Sequence, residues 1–400
     1  MANRLLTEKM LKEVKKHPVE ALEQVDMILG DPKSGYNWKD IDFVACLEHD
    51  FGPNFRGVIQ GAKDDAMEAI VTSGMFNKMA QKAIRFGLME TPKEEYMISR
   101  LAGTGPPRGE CEESYRDWGV FSDMKWHEVA ELVAAPLYGL ATDYLDHPNG
   151  RPGGLGMAVT REALCKDPNG FFLKSVPKIK DAHDEKREND LIDALIGYNT
   201  TYNRSGTEYN IYYDDGTVFT DGASGPWVNS SPTSIVCPED FQVVKNLTYD
   251  MVDLVHGRPN GMDTNNLDVI TSDLMRDQIN PLLNATSHEK DVTCGAGDYH
   301  FLMTPEVSNG MTFSPMAYKR FAERIVLRYG ITLAQAKDWI WMGKLSEFVK
   351  WVYQVQPEVR RCALGSDECR KRIVAIYDSY SLGYAYIEDP QKGILLTNGY

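Results

Sequence analysis

The sequence has little of three features that mark common classes of protein: long apolar runs, paired cysteines and excess positive charge. No window approaches the roughly 18 apolar residues that a membrane-spanning helix needs. The seven cysteines contain no C-x-x-C pair, which is typical of free thiols in a reducing compartment. With 43 Lys and Arg against 58 Asp and Glu, the net charge of −15 argues against a domain built to coat DNA or an anionic membrane, although a local patch is not excluded.

Recognisable catalytic motifs are also missing. The chain contains no G-x-x-x-x-G-K-[ST], no G-x-G-x-x-G after a strand, no G-x-S-x-G and no H-E-x-x-H. These motifs cradle phosphates, expose a nucleophile or bind zinc, so their absence over 400 residues argues against the commonest enzyme classes. The sequence therefore predicts no catalytic, cofactor-binding or metal-binding residues.

A few weak candidate sites have simpler structural interpretations. His127-Glu128 has no second histidine at metal-ligand spacing. Asp215 and Asp221 fit a hairpin better than a calcium loop. The possible acid/base group at 287–291 is explained more simply as a solvated loop. That group comprises Ser287, His288, Glu289 and Asp291. Pairing of Cys362 with Cys369 is disfavoured for want of an oxidising compartment. The aromatic set Trp339, Trp341, Trp351 and Tyr353 is expected in the core or an interface rather than stacking on bases.

The most organised stretch is Asp167 to Gly197, which predicts one long helix. Asp167 can cap it, Pro168 suits its first position and Gly197 suits the left-handed residue after its end. Pro177 should kink the helix or split it in two. One face is expected to carry Phe172, Val176, Ile179, His183, Arg187, Leu191 and Leu195. Because the middle of the helix, from 178 to 190, is heavily charged, we expect it to lie along a surface.

Before this helix, the pattern predicts a partly helical, extended N-terminal arm and then a two-limbed loop. Helix-like spacing occurs over residues 5–29 and 60–86, separated by the Gly/Pro/Asp-rich stretch 30–53. Residues 100–156 contain two turn-forming stretches around a mixed segment, which favours two extended limbs over a compact core.

After the long helix, helices and short strands alternate. We expect a hairpin turning at Asp214 to Gly216, a helix over 237–256, and a strand over 267–271 that leads into a helix limited by Pro281. A third helix is expected over 315–329. The C-terminal segments rich in aromatic and β-branched residues predict strands that form a sheet under the long helix.

The order of these segments resembles the major capsid proteins of tailed bacteriophages. The matching stretches are Gly154–Gly197, with V-T-R-E-A and the closing L-I-D-A-L-I-G, then L-D-V-I-T-S-D-L from Leu267, L-L-N-A-T at Leu282–Thr286, W-x-W-x-G at Trp339–Gly343, and Arg372–Pro390. Each is weak alone, and their joint order over roughly residues 65–392 carries the resemblance.

The resemblance implies an α+β fold of the Hong Kong 97 type. Residues 1–64 would form an N-terminal arm, 100–153 the extended E-loop, and 231–336 the α/β A-domain. The P-domain would comprise 65–99 and 154–230, with the spine helix at 167–197 lying on a β-sheet to which 337–400 return. The family has no active site, and neither its cleaved scaffolding domain nor its cross-link can be matched to residues here.

The function implied by the resemblance is self-assembly into pentamers and hexamers of an icosahedral shell around phage DNA. Implied partners are further copies of the chain, a portal, scaffold or decoration proteins, and packaged DNA held by non-specific contact, with no membrane. The location would be the virion, assembled in the cytoplasm of a host bacterium. Two alternatives remain open: an encapsulin-type bacterial compartment shell, and an α/β enzyme with a site around His127, Glu128 and Asp143.

Overall fold

The computed structural model describes most of the chain between residues 37 and 397. The ranges are 37–61, 74–105, 116–118, 144–213, 227–233, 240–251, 264–283, 288–294, 297–303, 313–362 and 373–397, with a few isolated positions. The α-helices are α1 (Phe43–Phe51), α2 (Phe55–Gly61), α3 (Met75–Met89), α4 (Met97–Leu101), α5 (Arg161–Lys166), α6 (Pro168–Leu195), α7 (Phe241–Asp250), α8 (Arg276–Leu283), α9 (Lys319–Tyr329), α10 (Leu333–Ala336) and α11 (Leu345–Phe348).

Short and long strands alternate with these helices. The strands are β1 (Gly103–Thr104), β2 (Arg116–Trp118), β3 (Tyr144–Asp146), β4 (Arg151–Thr160), β5 (Thr201–Arg204), β6 (Thr207–Asn210), β7 (Ser230–Ser231), β8 (Leu267–Thr271), β9 (His288–Cys294), β10 (Gly297–Met303), β11 (Phe313–Ala317), β12 (Ile340–Gly343), β13 (Val349–Cys362), β14 (Ile373–Ile387) and β15 (Gly393–Leu396). The molecule is therefore of mixed helix and sheet, as the sequence predicted.

Two sheets form the body. The first has the order β1-β13-β14-β4, in which the long strands β13 and β14 pair antiparallel. The second has the order β11-β8-β12-β15-β7 and mixes parallel and antiparallel pairs. A smaller sheet, β2-β3-β5-β6, lies at the base of the predicted loop. The strands β9 and β10 form a separate two-stranded antiparallel sheet. The C-terminal strands thus form the predicted sheet against which α6 packs.

The helix α6 begins and ends where its capping residues predict. The Asp167 side chain accepts a 2.8 Å hydrogen bond from the Gly170 amide, and Gly197 adopts a φ of +72° just past the end. The helix runs without interruption through Pro177, so the predicted split is wrong. Its neighbours Val176 and Ile179 are both buried, and their packing holds the helix together across the missing hydrogen bond. The alternative of a bend at Pro177 stays a prediction.

The first half of α6 packs into an aromatic core. The ring of Phe172 stacks on Phe43 with centroids 4.3 Å apart and meets Phe76 edge to face at 5.6 Å. Burial of each such ring contributes about 1.5–3 kcal/mol relative to exposure. Because Phe43 belongs to α1, residues 37–61 are helical and packed into this core, and this part of the predicted N-terminal arm is not extended. The reason is that Trp38, Phe43 and Phe55 supply apolar surface that only a folded segment can bury.

One further local prediction is wrong, and another falls outside the described residues. The hairpin after α6 turns at Ser205 and Gly206, both with positive φ, while the expected turn at 214–216 lies outside the described residues. The third helix begins at Lys319 and not at Pro315, because residues 313–317 form β11. Parallel pairing with β8 outweighs the helical spacing of this short segment, and Pro315 lies on an outer strand of the sheet, where a missing amide is tolerated.

Candidate functional site

The charged middle of α6 is buried along one stripe. Lys180, Asp184 and Glu188 are 4%, 2% and 0% exposed, although the sequence predicted that this region lies along a surface. The predicted face is buried at Phe172, Val176, Ile179, Leu191 and Leu195. Between its two ends the buried stripe is rotated by one position, because His183 and Arg187 are only half-buried. The Lys180 ammonium donates to Asp184 at 2.5 Å, and this pairing makes burial of both charges tolerable.

The buried stripe holds the segment that leads from α3 into the predicted loop. Lys180 also donates to the Thr91 carbonyl at 3.1 Å, which fixes the start of this segment. Glu188 accepts hydrogen bonds from the Ile98 and Ser99 amides at 3.0 and 2.6 Å, which satisfies two free amides in the first turn of α4. The charged centre of α6 therefore acts as an anchor for residues 91–99.

The Glu188 carboxylate also lies next to Tyr318, which directly follows β11 of the second sheet. Tyr318, between β11 and α9, is buried beside the Glu188 carboxylate. Burial, and then the nearby negative charge of Glu188, raise the pKa of the Tyr318 hydroxyl well above its ordinary value. The tyrosine therefore stays neutral and can donate to the carboxylate.

A second ionic cluster joins the C-terminal turn of α6 to α9. Asp193 accepts hydrogen bonds from Arg324 at 2.6 and 2.7 Å and from Arg328 at 2.6 Å. The hydrogen bond to Asp193 is the main cause that raises the pKa of the Arg328 guanidinium. Arg324 and Arg328 lie four positions apart on α9, so both project from one face towards the carboxylate. Sequence reasoning missed this cluster, although the four-residue spacing of the arginines was the available signal.

The predicted two-limbed loop leaves and re-enters the body through adjacent strands. β2 pairs antiparallel with β3, so that Arg116 lies opposite Asp146 and Trp118 opposite Tyr144. The Arg116 side chain donates to Asp146 at 2.7 Å and lies 4.3 Å from the centre of the Tyr144 ring. β3 in turn pairs with β5, which follows α6. Residues 119–143, between the two strands, lie outside the described part.

A polar cleft of about 500 Å³ separates this loop base from the end of α6. Its walls include Arg116 and Asp146 from the loop base, Asp190 and Asp193 from α6, and Arg328 from α9. Opposite charges in these walls are already paired with one another or with nearby residues. This lining is mainly charged and polar, unlike the apolar lining of ordinary small-molecule pockets, so we describe the cleft as the boundary between the loop base and the ends of α6 and α9.

The weak candidate sites have mixed outcomes. His127, Glu128 and Asp143, and also Asp215 and Asp221, lie outside the described residues. The stretch from His288 to Asp291 is not the predicted solvated loop, since it belongs to β9, where regular pairing with β10 satisfies the backbone. Cys362 ends β13 and Cys369 is not described, so their pairing stays untested. Cys46 and Cys165 are free thiols.

The aromatic set of the C-terminal region lies in the core, as predicted. Trp339, Trp341 and Trp351 are buried, and the Trp341 indole donates a 3.0 Å hydrogen bond to the Tyr212 hydroxyl. That hydroxyl donates to the Leu195 carbonyl at the end of α6, and burial raises its pKa well above the ordinary value. These buried residues therefore belong to the core at the C-terminal end of α6 and do not form a surface on which bases could stack.

Among the described residues, no group of three or more His, Cys, Asp or Glu side chains is placed to hold a metal ion. None of the described helices is long and apolar enough to cross a membrane.

Comparison with known proteins finds similarity among solved structures only. No protein-family profile matches the chain, and no curated protein matches it. The mature capsid of bacteriophage PhiM1 is 10% identical, with a TM-score of 0.39 over 74% of this chain and 86% of that one. The capsid of an empty GTA particle is also 10% identical, with a TM-score of 0.43 over 77% and 91% of the two chains.

An encapsulin is found as well. The SrpI encapsulin of Synechococcus elongatus is 10% identical, with a TM-score of 0.41 over 78% of this chain and 89% of that one. All three TM-scores lie below 0.5. Phage and GTA capsids, the class that the sequence resembles, are thus among the solved structures to which this chain is similar.

Proposed function

We propose that this chain is the major capsid protein of a tailed bacteriophage. Copies assemble as pentamers and hexamers into an icosahedral shell that encloses the phage genome, joined at one vertex by a portal and assisted by scaffold or decoration proteins. Assembly takes place in the host cytoplasm, and the protein ends in the virion. In this proposal α6 is the spine helix, and the domain boundaries are those that the resemblance implies.

The observation that carries the proposal is the pairing of β2 with β3, which precede β4, α5 and the spine helix in the chain. This pairing places Trp118 and Tyr144, the residues that flank 119–143, opposite each other. The pairing of β3 with β5 fixes the base of the predicted two-limbed arm next to the C-terminal end of α6. An enzyme gains little from such an arm, whereas a shell subunit needs one to reach its neighbours.

An open sheet edge supports assembly too. Within the described part of the chain, β4 has β14 on one side and no strand on the other. Residues 154–156 of β4 are exposed, and the Leu155 side chain is 44% exposed at this edge. Long open edges invite pairing with another chain, and a closed symmetric assembly covers them.

The first experiment is expression of the full chain followed by negative-stain microscopy. Closed shells of uniform size are expected, alone or with a co-expressed scaffold protein. A monodisperse monomer under every assembly condition, with and without phage partners, would contradict the proposal. Nuclease-resistant DNA in particles from infected cells distinguishes a phage capsid from an encapsulin, which would instead enclose protein cargo.

A loop variant tests the role of the arm. Replacing residues 119–143 with a short Gly-Ser linker should leave the helical circular dichroism unchanged and abolish closed shells. The control changes a different exposed hairpin, by replacing Ser205 with Asn at the turn between β5 and β6, and should leave shells intact. Closed shells from the linker variant would remove the arm from the assembly mechanism.

A further inference from the structure

One face of helix α3 carries only positive charge. Lys78, Lys82 and Arg85 follow one another at steps of four and three, and α3 contains no acidic residue. The side chains of Lys78 and Arg85 are exposed, while the opposite face of the helix is buried. Lys82 is engaged by Asp26, so two cations of this helix remain directed at solvent.

The first half of α6 adds two more cations. Lys174 and Lys178 lie four positions apart and are both exposed. The acidic residues nearest to them on this helix are already used, since Asp167 caps it and Asp181 pairs with Lys93 at 2.5 Å. Within the described part of the chain, neither lysine has an ion-pair partner, and the same holds for Lys78 and Arg85.

Both helices belong to one layer over the β13-β14 sheet. α3 and α6 contact each other, and both contact this hairpin. Their approach is close, since a Cβ added at Gly87 of α3 would come within 2.4 Å of the Val176 side chain of α6. Helices packed side by side on a sheet direct their exposed residues away from it. The four cations therefore project from the outer side of one helical layer.

Two acidic side chains next to these helices cap helix N-termini, while Glu185 is exposed further along α6 and pairs with Arg320. The Asp50 carboxylate accepts hydrogen bonds from the Met75 and Phe76 amides at 2.9 and 2.8 Å, and Asp42 caps α1 in the same way. Each of these carboxylates interacts with the positive end of a helix dipole, so less of its negative charge is available to neutralise the exposed cations. A chain with a net charge of −15 thus presents a locally cationic face.

We propose that this face, defined by Lys78, Arg85, Lys174 and Lys178, binds the phosphate backbone of duplex DNA. Lysine and arginine on exposed helices neutralise phosphates without reading sequence, and release of counterions supplies the binding free energy. The choice of DNA among polyanions rests on the proposed capsid function. Weak, sequence-independent contacts of this kind hold a packaged duplex against the shell while the overall negative charge keeps it from being trapped.

The test measures binding of a fluorescein-labelled duplex to unassembled full-length subunits by anisotropy, over a range of salt concentrations. The quadruple variant K78Q/R85Q/K174Q/K178Q is compared with the unmodified chain. Loss of four phosphate contacts should make the slope of log affinity against log salt less steep by about three to four. Raising the salt from about 50 to about 200 mM should then weaken the unmodified chain about 100-fold more than the variant.

The control variant R100Q/R276Q/K319Q/K337Q makes the same change in net charge away from this face. It should keep the salt slope of the unmodified chain. An equal loss in both variants, or no loss in the first, overturns the proposal. Unchanged DNA affinity together with lost shell formation by the first variant would show a subunit interface instead. Since binding is measured without assembly, failure here leaves the capsid proposal to its own microscopy test.

Discussion

The Glu188 carboxylate is fully buried in α6 and accepts a 2.6 Å hydrogen bond from the backbone amide of Ser99, which lies 89 positions earlier in the chain. The same carboxylate accepts from the Ile98 amide. This contact ties α6 to the first turn of α4, which precedes β1 in the chain.

Glu188→Gln should lower the free energy of unfolding by about 1.5–3 kcal/mol. A glutamine keeps one acceptor oxygen but sets an amide donor against one of the two backbone amides, which is then buried without a partner. Urea denaturation of the full chain measures the loss. The matched control is Glu185→Gln, an exposed position on the same helix, for which a change under about 1 kcal/mol is expected. Equal losses would argue against the anchoring role.

Asp193→Asn should destabilise the joint between α6 and α9 by about 2–4 kcal/mol, because two arginines then lose their shared negative partner. The lower part of this range allows for Arg328, whose side chain is 30% exposed and partly screened by water. Thermal unfolding monitored by circular dichroism is the measurement. Asp190→Asn removes a more exposed pair with Lys186 and should cost less. A larger loss at Asp190 would contradict this ranking.

Gly87→Ala should destabilise the contact between α3 and α6 by about 1–3 kcal/mol through overpacking. The new methyl group would lie 2.4 Å from a carbon of the buried Val176 side chain, which has no room to withdraw. Gly156→Ala on β4 provides the control, since nothing lies within 4 Å of the added carbon there. Chemical denaturation of both variants gives the comparison, and equal stabilities would show that the helices shift apart at little cost.

Asp389→Asn should flatten the dependence of stability on pH. Burial raises the pKa of the Asp389 carboxyl above its ordinary value of 3.8, so the folded chain holds this proton more tightly than the unfolded chain. The stabilisation is therefore complete below about pH 3.8 and is lost as the pH rises through the folded pKa. Asparagine keeps the acceptor that caps Gln391 at 2.9 Å and does not titrate.

The unfolding free energy of the two chains, measured at intervals from about pH 4 to pH 7, checks this prediction. The unmodified chain should lose stability relative to the variant as the pH increases. Glu358→Gln, at an exposed position, is the control and should follow the unmodified chain. An unmodified chain that loses stability relative to the variant as the pH falls would contradict the prediction.

Local signals in the sequence predicted the bounds of the elements best where their chemistry acts within a few residues. Asp167 and Gly197 mark the ends of α6 because capping and left-handed backbone depend only on neighbouring atoms. The predicted start of the third helix at Pro315 was wrong because a short segment with helical spacing can also form a strand. Its pairing with β8 is a contact between residues distant in sequence. The turn at Ser205 and Gly206 was missed in favour of a stronger turn signal nearby.

The candidate site depended on contacts that the sequence does not display. The heavily charged stretch 178–190 predicted a helix along a surface, whereas the burial of Lys180, Asp184 and Glu188 follows from Thr91, Ile98 and Ser99 lying against them. Likewise, the charge of α3 was visible in the sequence, but its sharing of a layer with Lys174 and Lys178 was not.

The sequence by itself determined the mixed helix and sheet character, the long capped helix, the C-terminal strands and the resemblance to phage capsid proteins. Those properties follow from local backbone preferences and from the order of patterns along the chain. Only the tertiary structure decided which side of α6 is buried, how the loop base is joined to the body, and which cations share a surface. The reason is that burial of a charge is tolerated only when partners distant in the chain meet it, and their meeting is a property of the whole fold.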